Sequence, residues 1–175
     1  MPTRKPKPKR KTRLSGSCQC GKIAFSLESE TPVPFMFCYC SICRKTGGSA
    51  FGCNIMGLRQ TLRVRGKAHL RSYHARIREP GKSTRISKAE RWFCAECGTH
   101  LYLSDDRWPI GVWPYASAID TPLPVPKRPI SLMTRFKPAW APAWLFTHGK
   151  NYERYPELSI ADWHEREGWS VTVKP

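Results

Sequence analysis

The chain has 175 residues, 40% of them hydrophobic and seven of them Trp, and carries a net charge of +17. That is enough apolar material for a compact core, which excludes a disordered chain. No apolar run approaches the ~20 residues of a membrane span, and the basic N-terminus lacks the ~7–15-residue apolar stretch of a secretory signal, so a cytoplasmic address is expected. The charge is unevenly placed. Residues 1–13 hold seven Lys/Arg and no acid, and residues 59–91 hold eleven Lys/Arg against Glu79 and Glu90. The first stretch also has three prolines and no apolar residue beyond Met1. It is expected to be a disordered basic tail ahead of a single domain over residues 14–175.

Ordered structure is expected from about Leu14. Ile23, Phe25 and Leu27 alternate with small or polar neighbours, which predicts a half-buried strand. Thr31-Pro32-Val33-Pro34 interrupts it, and Gly47-Gly48 marks a turn before a short apolar strand over Ser49–Ile55. Leu62 and Val64 predict another strand, with Leu70–Tyr73 a candidate partner for it. His74 to Glu90 is basic, carries Pro80-Gly81 and lacks periodicity, so it reads as a long exposed hairpin or loop. Arg91–Phe93 and Leu101–Leu103 flank a cysteine pair. Residues 108–145 hold eight prolines, which suits short strands and irregular loops. Ser159 with Asp162 three residues on resembles a capping box, and Gly168 a stop, predicting one short helix over Ile160–Glu167. Val171 and Val173 resemble a closing strand.

The eight cysteines carry the chemistry. Cys18 and Cys20 form C-x-C, Cys38, Cys40 and Cys43 form C-x-C-x2-C, Cys94 and Cys97 form C-x2-C, and Cys53 stands alone. In a reducing compartment such spacing reads as metal sites and not disulfides. A C-x-C on extended backbone puts two sulfurs on one face, and a C-x2-C turn puts two on one side of a tight loop. Joining Cys18 and Cys20 to Cys94 and Cys97 gives a closed four-thiolate zinc site spanning much of the chain, so its metal binding and folding should be coupled. The triplet needs a fourth ligand. Cys53, a histidine, water and a substrate thiolate are the options, with Cys53 also readable as a small buried side chain. Left open, such a zinc can hold a thiol deprotonated or polarise a carbonyl. His69, His74, His100, His148 and His164 show no metal-ligand spacing.

Gly16-Ser17-Cys18-Gln19-Cys20-Gly21, Cys38-Tyr39-Cys40-Ser41-Ile42-Cys43-Arg44-Lys45, Gly48-Ser49-Ala50-Phe51 and Arg91-Trp92-Phe93-Cys94-Ala95-Glu96-Cys97-Gly98-Thr99 together resemble the glutathione-dependent formaldehyde-activating enzyme family, which also includes centromere protein V. Ala116–Asp120 and the Pro138–Trp140 region are similar as well, and the match spans roughly residues 14–168. The resemblance implies a mainly β, Mss4-like fold with two zinc ions. Cys18, Cys20, Cys94 and Cys97 would bind structural zinc. Cys38, Cys40 and Cys43 would bind the zinc of an active site where glutathione supplies a fourth ligand. The implied activity is a carbon–sulfur lyase that forms or cleaves S-(hydroxymethyl)glutathione. Four features depart from the pattern. Tyr39 stands where many members have His, and Pro129 precedes Ile130 where a His is common. The segment 74–90 is longer than usual, and the minimal enzyme has no basic tail.

Arg44 and Lys45 could meet the carboxylates of glutathione or simply be solvated. Tyr115 and Trp113 could line a pocket or pack the core, and Asp120 is expected to shape a turn. The alternative function is a zinc-stabilised binding protein whose tail and residues 59–91 contact nucleic acid or another polyanion through phosphate-type, salt-dependent contacts.

Overall fold

The computed structural model describes residues 11–141 and 150–169. Most of the basic tail, Trp144, His148 and the closing strand expected at Val171 and Val173 lie outside them. The described fold is mainly β, with three sheets and two short helices.

The first sheet joins β1 (Thr12–Ser17), β2 (Ala24–Ser29) and β6 (Arg63–Arg65), all antiparallel. β2 is the strand that the alternation predicts: Phe25 and Leu27 point inward, and Ile23 is buried just ahead of it. β1 offers only Leu14 as a large apolar residue, so no period betrays it, and it starts at Thr12, two residues before the expected boundary. Val64 does form strand, with Leu62 just ahead of it at the end of a 3-10 turn, but Leu70–Tyr73 does not pair with β6. Gly66 explains the redirection. Its φ is +76°, and a Cβ there would sit 1.9 Å from the Lys22 carbonyl oxygen. The chain leaves the first sheet at this glycine and a following 3-10 turn, Lys67–His69.

It then enters a five-stranded sheet, in the order β5 (Gly57–Leu58), β10 (Gly111–Pro114), β9 (His100–Ser104), β8 (Arg85–Cys94), β7 (Leu70–Ile77). The basic segment 74–90 is therefore a hairpin, the first of the two forms expected of it. Pleating divides this sheet into two faces. Trp92 and Tyr102 are paired neighbours on one face, and the Phe25 ring of the first sheet lies 5.8 Å from Tyr102. Arg91 belongs to the opposite face. A register shift between Trp92 and Phe93 carries His100 to that face too.

The third sheet orders β11 (Ile130–Leu132), β3 (Met36–Cys38) and β4 (Gly52–Cys53), with β11 parallel to β3. The strand expected over Ser49–Ile55 shrinks to β4 plus a bridge from Asn54 to Tyr115. Between β3 and β4 lies α1 (Ser41–Gly47), a helix the sequence reading lacks. Seven residues with no apolar period give no signal. A cysteine sulfur starts it: Cys40 Sγ accepts the Cys43 N–H at 3.3 Å. α2 (Ile160–Arg166) is the helix the capping box predicts, with Ser159 Oγ accepting from Asp162 N at 3.2 Å.

The main core holds Leu14, Ile23, Phe25, Leu27, Leu101 and Val112 between the first two sheets. Burial of such side chains stabilises by ~1.5–3 kcal/mol each. A second cluster seats α2: Trp163 stacks on Phe35 with ring centroids 3.6 Å apart. Among the described residues no helix is long and apolar enough to cross a membrane.

Candidate metal centres

Two turns make the first centre. In the β1–β2 turn, Cys18 N donates to Ile23 O, and Cys18 Sγ accepts the Ile23 N–H at 3.1 Å. In the β8–β9 turn, Gly98 N donates to Cys94 O at 2.9 Å and Cys94 N to Thr99 O at 3.0 Å. The Thr99 hydroxyl ties the turns together, accepting from Gln19 N at 3.1 Å and lying 3.2 Å from Cys97 Sγ. That hydroxyl first, and then backbone N–H groups, hold the Cys97 thiol down to about 5. The sulfurs of Cys18, Cys20, Cys94 and Cys97 all lie within 4.8 Å of one another. Cys18 and Cys20 sulfurs are 3.5 Å apart, and those of Cys20 and Cys94 3.8 Å. A tetrahedron of sulfurs at zinc–sulfur distances of ~2.3 Å has edges of about 3.8 Å, so this donor set fits zinc.

One continuous segment makes the second centre. The Cys38, Cys40 and Cys43 sulfurs also lie within 4.8 Å of one another. Cys38 ends β3, Cys40 caps α1 and Cys43 sits one turn into it. Cys40 is the favoured thiolate. The thiols of Cys38 and Cys43, and then the N–H groups of Cys43 and Ile42, pull it down to about 2, and the same contacts push Cys38 up. Three soft sulfurs at this spacing suit zinc equally.

Cys53 is not part of this cluster. It pairs with Phe37 while Cys38 pairs with Gly52, so the pleat turns Cys53 to the face opposite Cys38. Cys53 is half-buried, and desolvation pushes its thiol up to about 12, as for an unreactive cysteine. No histidine joins either group among the described residues. His69 pairs with Glu96 at 3.0 Å, and His74 Nδ1 faces Ser87 O at 3.0 Å. His164 Nδ1 donates to Ile160 O inside α2.

Tyr39, at the position where a His is common in the family, is fully buried against Ala50, Ala141 and Phe51. Arg44 donates from Nε to Tyr39 O at 3.1 Å and so braces the loop. Lys45 is exposed at the end of α1. Asp120 shapes a turn, its N–H donating to Ser15 O at 2.8 Å. Trp113 is half-buried on β10, and its carbonyl accepts from Asn54 Nδ2 at 3.3 Å.

Other residues gather beside the triplet. A Cβ on Gly52 would meet Cys43 Cβ at 3.0 Å and Tyr115 Oη at 3.1 Å, so glycine lets these groups close up. Tyr115 Oη lies 3.3 Å from Thr46 Oγ1 on α1, and the Tyr115 ring rests 4.1 Å from His100. His100 is 8% exposed and its Nε2 has no partner among the described residues. Burial, and then the charge of Arg91, hold its imidazole down to about 4, so it is neutral at pH 7. Arg91 is 8% exposed, and its Nε is without a partner among the described residues too. Its charge reaches Cys43. A buried guanidinium with no ion pair among the described residues is expensive, since removing an ion from water costs several kcal/mol. The other ten basic residues of segment 59–91 are exposed or half-buried. Sequence reasoning gave Arg91 no role of its own, because only strand pairing distinguishes it from its neighbours. A cleft of about 520 Å³ lies on the other face of the five-stranded sheet, between Arg63, Arg65, Trp92 and Tyr102, away from both cysteine groups.

Comparison with known proteins agrees with the motifs. The family model for glutathione-dependent formaldehyde-activating enzyme matches residues 13–126. A Halomonas elongata protein described as a candidate glutathione-dependent formaldehyde-activating enzyme is 43% identical over 156 residues, covering 89% of this chain and 96% of its own. The crystal structure of a Rhodobacter sphaeroides protein is 24% identical, covers 63% of this chain and 91% of its own, and superposes with a TM-score of 0.49. With nearly two thirds of the chain inside the family model and a relative of this identity along nearly its whole length, the chain belongs to the glutathione-dependent formaldehyde-activating enzyme family.

Proposed function

We propose that the protein is a zinc-dependent carbon–sulfur lyase that forms or cleaves an S-hydroxymethyl adduct of glutathione. Cys18, Cys20, Cys94 and Cys97 would hold a structural zinc, and Cys38, Cys40 and Cys43 a second zinc at the reacting centre. The observation that carries the reading is the unequal ligand count: four clustered sulfurs in one group, three in the other, and Cys53 turned away from the three. When bound at the triplet, zinc would supply Lewis acidity and a fourth position for an incoming thiol.

The chain's own groups then have distinct tasks. The cap of α1 fixes Cys40 and Cys43 relative to each other. Gly52 allows Tyr115 to pack against Cys43, and Tyr115 with Thr46 closes one wall. His100 is neutral and can donate or accept a hydrogen bond at Nε2, according to its tautomer, without adding charge. In the synthetic direction the thiol sulfur bonds to the aldehyde carbon, the carbonyl π electrons move to oxygen, and that oxygen takes the proton the thiol gave up. Cleavage is the reverse.

Exchange NMR of glutathione with formaldehyde tests this. The wild type should accelerate interconversion of free thiol and adduct above the spontaneous rate, and Cys40→Ser should abolish the acceleration. No acceleration by metal-loaded wild type would end the lyase reading.

A further inference from the structure

We propose that Arg91 is the anion-binding residue of the second cysteine centre, its guanidinium taking an oxygen anion of the reacting molecule. The inference rests on the reading of that centre as a thiol-binding site and names a group the cysteine motifs do not. Three observations carry it. Arg91 is 8% exposed on the sheet face turned to the triplet, and its Nε has no hydrogen-bond partner among the described residues. It forms no ion pair among the described residues, whereas seven other Lys and Arg side chains do. His100 Nε2, equally buried and unpartnered, lies within reach of its charge, as does Cys43. Buried charges and polar atoms are normally satisfied, so two such groups beside one reactive cluster indicate a ligand that satisfies them. The fixed, planar fork of arginine suits a carboxylate or an oxygen that gains charge during reaction.

Two sources share this chemistry: a carboxylate of the thiol, and the former carbonyl oxygen of the adduct. Arg91→Met keeps the aliphatic stem while removing the charge, and Arg91→Lys keeps the charge while losing the fork. Full-length, metal-loaded proteins should be titrated calorimetrically with glutathione and with cysteamine, a thiol without a carboxylate. Acetate, a carboxylate without a thiol, should be tested by thermal shift. If the carboxylate is the source, Arg91→Met weakens glutathione at least tenfold and loses the acetate shift, while cysteamine is unaffected. If the carbonyl oxygen is the source, both thiols bind as in wild type and turnover falls at least a hundredfold. In either case Arg91→Lys should fall between. Arg91→Met should be no less stable than wild type, because it removes an unpaired buried charge.

The proposal is overturned if Arg91→Met keeps both metals and matches wild type in glutathione affinity, acetate response and turnover. It is also overturned if Arg91→Met loses the second metal or unfolds, which would make Arg91 structural. Failure of wild type to bind either thiol, with the acetate shift intact and Arg91-dependent, would sink the thiol reading and leave the anion site standing.

Discussion

The two cysteine groups use the same donor atom and differ in how the fold delivers it. The first draws Cys18 and Cys20 from one turn and Cys94 and Cys97 from another, 74 positions apart for Cys20 and Cys94. The Thr99 hydroxyl crosses between those turns, and the sulfurs face one another. The second draws all three sulfurs from six consecutive residues at a strand end and a helix start, and it faces Tyr115, His100 and Arg91. The lesson is that a cysteine group assembled from distant segments ties those segments together, whereas one assembled locally can be left with three sulfurs and given polar company instead.

This contrast should first show in removal of a ligand from each group. Cys94→Ser should abolish cooperative folding, because the structural zinc proposed there would contribute on the order of 10–16 kcal/mol, as much as a whole domain's stability. Cys40→Ser should leave the thermal transition in place and lower bound zinc from two to one per chain. Circular dichroism melts with metal analysis check both. Equal damage from the two variants would erase the distinction.

Gly52→Ala comes next. The added methyl would press on Cys43 Cβ and Tyr115 Oη, at a cost of about 1–3 kcal/mol. The four-cysteine group lies elsewhere, so the variant should lose the second zinc more readily and keep the first, as competition with a chelator would reveal.

The pH response of the second centre follows from His100. Its pKa in the folded chain is held down to about 4, against 6.5 for the ordinary group. The unfolded chain therefore binds the proton first as pH falls. The stability that His100 contributes is complete above pH 6.5 and is lost between there and about 4, by at most about 3 kcal/mol. Its imidazole resonances should stay neutral-like down to pH 5 in NMR. A midpoint near 6.5 would place His100 in water and weaken the buried cluster.

The smallest effect is expected far from both groups. Ser159→Ala removes the cap of α2 and should lower stability by about 1 kcal/mol without touching zinc content or turnover.

Much of this was legible in the sequence. The two cysteine groupings follow from cysteine spacing, and α2 from Ser159 and Asp162, because these are local patterns with a local cause. What was hidden depends on pairing. Cys53 looked available to the triplet until β4 took a register that turned it away. Arg91 looked like one more charge in a basic run until β8 buried it. α1 has no apolar period and is set by a sulfur cap, and β7 pairs with β8 because Gly66 redirects the chain. Register and chain reversal are tertiary outcomes, and a linear pattern fixes them only weakly.

The claim that the second centre is a three-cysteine zinc site open to a thiol can be tested by zinc-edge X-ray absorption on the fully loaded protein, with and without glutathione. The account predicts that glutathione raises the mean sulfur coordination by about half a ligand per zinc, since only one of two ions can gain a sulfur. A coordination already complete without glutathione, or unchanged by saturating glutathione, would contradict it.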